Sequence, residues 1–260
     1  MKKIMLVLAA VCLSAAASAI PARPVKKTVN VNGREVTLTL VGDEARHYWR
    51  ADDGKAYRLT DDNSAELLDL NKMKYVPKQT RQMKETAEAA TSVDGMRRIA
   101  DRRRTQYTGQ RRGLVILVNF TDKKMSITNP QDAFSSVMND EDYKEYGQYG
   151  SVHDYFYDQS YGMFDFKFDV VGPVTLSNKM SYYGANDSRG DDVRPGEMAY
   201  EAAKLVDDQV NFKDYDWDGD GQVENFFIVY AGYGEAHGAD KNTIWQHAWD
   251  IYSATGKTLY

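Results

Sequence analysis

Cysteine is almost absent from this chain. Cys12 is the only one. It falls in an apolar leader, so the chain left after leader removal has neither a disulfide nor a thiol nucleophile. Histidine is scarce as well. The four are His47, His153, His237 and His247, and no two stand four residues apart, the spacing a helix-borne zinc site with an intervening Glu base needs. No G-x-S-x-G turn offers a nucleophilic serine, and no glycine-rich loop offers a phosphate cradle. Positive charge is not in excess. A net charge of -5 leaves nucleic acid without an electrostatic footprint. Long apolar runs are missing too, because residues 4–16 are too short to span a bilayer comfortably. The residues alone therefore give no complete active site.

What is present begins with the leader. Lys2 and Lys3 precede the apolar stretch, and Ala17-Ser18-Ala19 is a small-x-small cleavage site. This reads as a secretory signal peptide over residues 1–19, placing the protein in the periplasm, at the surface or outside the cell. Val11 precedes Cys12 where a lipid-attachment signal has a small residue. A hydrophobic fraction of 42% with 27% charged residues is that of a globular chain.

Residues 20–70 read as a β-rich module. Asn32-Gly33 between alternating runs signals a hairpin, with Val29 and Val31 before the turn and Val36, Leu38 and Leu40 on one face after it. Asp53-Gly54 offers a second hairpin. Residues 71–112 are charged and poor in apolar side chains, with seven arginines between 97 and 112. They read as a solvated linker open to a trypsin-like or Arg-specific protease. A second domain over residues 113–260 opens on the apolar run 114–120, expected as a strand buried on both faces. Helices are expected from Pro130, with Ala133, Phe134 and Val137 as apolar positions, and from the N-cap Ser151, with Val152, Tyr155, Phe156 and Gln159. Phe164, Phe166, Phe168 and Val170 alternate with Asp165, Lys167 and Asp169 as a half-exposed strand does. Pro195 opens a helix whose face is Met198, Ala202, Leu205, Val206 and Val210. A buried strand is expected over residues 226–230. Strands followed by alternating strands and helices give a mixed α/β (α+β) class.

The densest chemistry is "YDWDGDGQVENFFIVYAG", residues 215–232. Calcium prefers six to eight oxygen ligands, and a D-x-D-x-D-G stretch wraps three carboxylates round one ion. The best register places Asp216, Asp218 and Asp220 at the first three liganding positions. Gly221 turns the chain, Gln222 offers a backbone carbonyl, Val223 packs inward, and Glu224 reaches the ion directly or through water. Asp214 is a candidate in an alternative register. Phe227 stands where an EF-hand has its bidentate Glu, so this is a calcium loop leading into a strand. The competing reading is an acidic turn that binds nothing, although three aspartates this close repel one another without a cation. Glu235-Ala236-His237 reads as a glycine-flanked loop, and His247 in "IWQHAW" as a packed histidine.

Several segments together resemble one family, the immune inhibitor A-like secreted zinc metallopeptidases (peptidase family M-six). They are "LVGDEARHYWRADDGKAY", "RGLVILVNF", "GSVHDYFYDQSYGMFDFKFDVVGPVTL", "YYG", "YDWDGDGQVENFFIVYAG" and "IWQHAW". The resemblance implies a propeptide over roughly residues 20 to 108, followed by the front half of a zincin-like catalytic domain. It also implies endopeptidase activity on protein or peptide substrates, with bound calcium at Asp216, Asp218 and Asp220. In that family a His-Glu-x-x-His helix follows the "IWQHAW"-like strand. This sequence reaches Tyr260 without one, so the expectation is a fragment or truncated frame that lacks the zinc ligands and is inactive as given. The alternative is a non-catalytic, calcium-stabilised exported binding or inhibitory protein. An adhesion module is weaker, since the propeptide-like segment and basic linker argue against it.

Overall fold

The computed structural model describes residues 22–43, 46–60, 64–70, 72, 107–188, 190–219, 221–246, 248 and 251. The leader with Cys12, most of the proposed linker, Asp220, His247 and residues 252–260 lie outside the described residues. Strands and helices are both present, in an antiparallel sheet and a parallel one, so the class is α+β.

The first sheet is an antiparallel meander of five strands in chain order: β1 Lys26–Val31, β2 Arg34–Asp43, β3 Arg46–Ala51, β4 Ala56–Leu59 and β5 Ala65–Leu68. Val31 pairs with Arg34, which leaves Asn32 and Gly33 as a two-residue turn. Both have positive φ, 51° and 82°, the left-handed pair that matches strand twist in a tight hairpin. The alternation then sets the faces. Val29, Leu38 and Leu40 are buried, whereas Thr28, Asn30 and Thr37 are exposed. The second hairpin closes at Asp53-Gly54, where the Gly54 N–H donates to the Ala51 carbonyl at 2.9 Å.

The second sheet has the order β7-β6-β8 and is parallel throughout its described strands. Its middle strand, β6 (Gly109–Asn119), takes in residues 109–112 of the stretch read as linker. Leu114, Val115, Ile116, Leu117 and Val118 are all 0% exposed. A strand covered on both faces is the usual setting of a parallel sheet, which explains the unbroken apolar run. On one face lie the helices α1 (Pro130–Asn139) and α2 (Val152–Gln159), with β7 (Phe164–Thr175) contributing Phe164, Phe166 and Phe168 to the same core. On the other lie α3 (Met180–Gly184), α4 (Pro195–Leu205) and a 3-10 turn over Phe212–Tyr215. Gly113 makes room for rings of the neighbouring strand: a Cβ there would stand 2.7 Å from Phe166 and 2.8 Å from Phe168 of β7.

Ser151 caps α2 as expected, accepting from the Asp154 N–H while Asp154 accepts from the Ser151 N–H. Three expected apolar positions differ. Tyr155 is 62% exposed, and His153 turns inward in its place to meet Asp165 of β7 at 2.9 Å. Leu205 is 41% exposed at the end of α4, where Ala203 is buried instead. β8 (Phe226–Tyr230) is a half-buried edge strand, paired with β6 alone among the described strands, and Phe227 is 41% exposed.

The His153 contact makes a testable acid-stability prediction. The hydrogen bond from His153 holds the Asp165 carboxyl below its ordinary value of 3.8, against a weaker upward push from burial. A carboxyl depressed in the folded state adds stability that is full above pH 3.8 and fades as pH falls through the folded value. Denaturant midpoints measured across that window should therefore show the wild-type advantage over Asp165→Asn closing as acid is added. A gap that stays constant contradicts the assignment.

Candidate cation site

The loop between the 3-10 turn and β8 is clamped at both ends. Phe212 and Tyr215 are buried before it, and Val223 packs against the same core after it. Trp217 drives a wedge from the middle into the opposite core. Its ring meets Phe166 edge-on with centroids 5.3 Å apart and Phe164 at 6.0 Å, and its Nε1–H donates to the Arg112 carbonyl at 2.9 Å. The chain reverses through Gly219 (φ 74°) and Gly221 (φ 86°), a conformation that disfavours side chains.

Held in this way, three of the expected ligands converge. One oxygen each from Asp216, Asp218 and Glu224 lies within 4.8 Å of the others. The Asp216 carboxylate accepts the Gly219 and Gly221 N–H groups, both at 2.8 Å. Glu224 accepts the Trp217 N–H at 2.7 Å and the Asp218 N–H at 3.3 Å. Burial pushes the Glu224 carboxyl above its ordinary range, and the Asp218 and Asp216 charges add to that push against the N–H donor of Trp217. Gln222 is exposed on the outer turn. Asp220 lies outside the described residues.

The donor set fits a hard cation. Oxygens bound to one calcium at about 2.3–2.6 Å can stand no further apart than about 5 Å, and this cluster meets that limit. Carboxylates this close repel by roughly 1 kcal/mol per pair in water and about 3 kcal/mol at the effective dielectric of a protein surface, a cost a divalent ion removes. The same set fits zinc poorly, because it holds none of the histidine or cysteine donors on which zinc sites are built. No histidine joins a metal-type cluster among the described residues. His153 faces Asp165, His47 stacks on Trp245, and His237 Nδ1 lies 3.1 Å from Gln246 Nε2.

Asp214 is drawn elsewhere. Arg112 Nη1 donates to its Oδ2 at 2.9 Å, and Asn211 Nδ2 donates to Oδ1 at 3.0 Å. These contacts favour the register that begins at Asp216. Arg112 also donates through Nε to Asp169 Oδ2 at 2.8 Å, and that oxygen accepts the Tyr215 hydroxyl at 3.0 Å. Burial, then the Asp169 charge, raises the Tyr215 hydroxyl above its ordinary range and keeps it a donor. A single guanidinium thus ties β6, β7 and the approach to the loop. Sequence reasoning missed this anchor. In the sequence Arg112 is one of a run of arginines, and Asp169 shows only the outward phase of an alternating strand. No protein-family model matches the chain. A comparison with curated proteins finds no match either.

Replacing Arg112 by Met keeps the apolar stem and removes the donors. Arg112→Met should cost about 1 kcal/mol in urea unfolding without added cation, the upper end for partly exposed ion pairs. It should also weaken cation binding, because Asp214 and Tyr215 then lose their tether. An unchanged unfolding midpoint removes Arg112 from the anchor role.

Proposed function

We propose that this chain is a calcium-braced exported protein of the secreted zinc metallopeptidase type. The described α/β domain supplies a scaffold sheet and its cation clamp. The observation that carries the calcium half of this reading is the convergence of Asp216, Asp218 and Glu224 on one point at the entry to β8. Asp220 and the Gln222 carbonyl complete the proposed set. The peptidase half rests on the sequence resemblance, and export on the leader.

Zinc, when bound in such peptidases, polarises the scissile carbonyl and activates water. The described histidines do not form a site for it, so no catalytic step is assigned to these residues. The proposed substrates are proteins or peptides. An activating protease is the proposed second partner. The arginine-rich stretch is its proposed target, and the pairing of the Arg111 and Arg112 backbone with β7 argues for a cut before them. The runner-up reading, a non-catalytic binding or inhibitory protein, is favoured by the lack of a histidine cluster among the described residues. Among those residues no helix is long and apolar enough to cross a membrane.

Thermal unfolding tests the clamp. A cation at a hundredfold excess over its dissociation constant should stabilise the fold by about 2.7 kcal/mol, or roughly 5–10 °C for a chain of this size. The gain is expected with calcium and absent in Asp218→Ala. Equal shifts in the variant and the parent sink the assignment. The chain is expected to leave casein intact when zinc is added, and chelator-sensitive hydrolysis by the purified chain would overturn that expectation.

A further inference from the structure

The antiparallel sheet does not complete its own core. Ala236 and Trp245, from the segment that follows β8, are 1% and 2% exposed and pack in one cluster with Leu38, Leu40 and Trp49. At the edge of this seam His47 of β3 enters a socket. Its ring stacks on Trp245, with centroids 4.0 Å apart and planes 17° apart. The Nδ1–H donates to the Asp43 carbonyl at 3.1 Å, which turns Nε2 towards Glu235 at 3.6 Å. The His47 and Glu235 side chains are only 12% and 11% exposed.

The socket is built by the α/β domain alone. Asn186 Nδ2 donates to both Glu235 oxygens, at 3.0 and 3.2 Å. The Glu235 N–H donates to the Ile244 carbonyl at 2.9 Å. The Trp245 N–H donates to Asp192 Oδ2 at 2.9 Å. These bonds anchor Glu235 and Trp245 to the α/β domain, while the plug comes wholly from the first sheet. Two further contacts close the seam. The Arg23 N–H donates to the Ala236 carbonyl at 2.7 Å, and Val25 packs over Gly238, where a Cβ would stand 2.8 Å from it.

We infer that this seam is a docking surface whose partner is the β-rich module itself. The module binds the α/β domain by the His47 plug and the shared apolar core, and needs no peptide connection to stay there. It is bound in cis while the chain is whole and in trans once the backbone between residues 73 and 106 is cut. His47 sets how long the two pieces stay together. The inference does not rest on the calcium reading, since the socket residues lie outside the loop.

The test uses the full chain, with a site-specific protease sequence placed between residues 73 and 106 and cut after folding. Size-exclusion chromatography at low micromolar concentration then reports association. The cut wild type should elute as one species. His47→Ala should separate about tenfold faster, as expected for loss of an aromatic stack, and Glu235→Gln should also separate faster than the wild type. Circular dichroism of the uncut variants confirms that they fold, and the near-isosteric Glu235→Gln decides the matter if His47→Ala does not. The inference is overturned if the wild-type pieces part as soon as they are cut. It is equally overturned if folded variants stay together as long as the wild type.

Discussion

Three carboxylates held within 4.8 Å at the entrance to an edge strand set the main constraint on the α/β domain. Each backbone N–H that points at them offsets part of the repulsion. Gly219, Gly221, Trp217 and Asp218 all donate inward. The loop can hold this shape because its neighbours are fixed: Trp217 is wedged among phenylalanines on one side of the sheet, and Tyr215 and Val223 pack on the other. β8 then leaves the loop already aligned with β6, so that Leu114 pairs with Phe226 and Val118 with Tyr230. A cation at this point would brace β8, the short edge strand of the parallel sheet.

The two sheets solve different burial problems. In the parallel sheet, β6 is covered on both faces and its polar anchoring is pushed to its N-terminal end, where Arg112 meets Asp169 and Asp214. In the antiparallel sheet only one face is apolar, and that face borrows Trp245 and Ala236 from the other domain. The β-rich module is therefore not a free-standing body with a finished core. Its surface chemistry and that of the α/β domain were matched at one histidine, one glutamate and one tryptophan.

Much of this was readable from local pattern. The Asn32-Gly33 turn needs only two residues with positive φ, and the apolar run of β6 needs only the rule that central parallel strands are dry. The spacing of acidic residues from 216 to 224 marks a candidate cation loop, and three of its expected ligands, Asp216, Asp218 and Glu224, converge in the fold. What stayed hidden were pairings set by tertiary register. Periodicity placed Tyr155 on the inner face of α2, but a hydrogen bond to Asp165 rotates His153 there instead. Arg112 and Asp214 are 102 residues apart, and nothing in either neighbourhood names the other. His47 meets Glu235 and Trp245 only because the first sheet docks, a fact no window of sequence contains.

The most direct measurement is luminescence of terbium, an oxygen-seeking ion of calcium's size, sensitised by the indole of Trp217 between two of the proposed ligands. The account predicts saturable emission on excitation of the protein, displaced by calcium and largely lost in Glu224→Gln, which keeps the shape of the side chain and removes its charge. Emission that Glu224→Gln leaves unchanged, or that calcium does not displace, would contradict the claim that Asp216, Asp218 and Glu224 form one cation site.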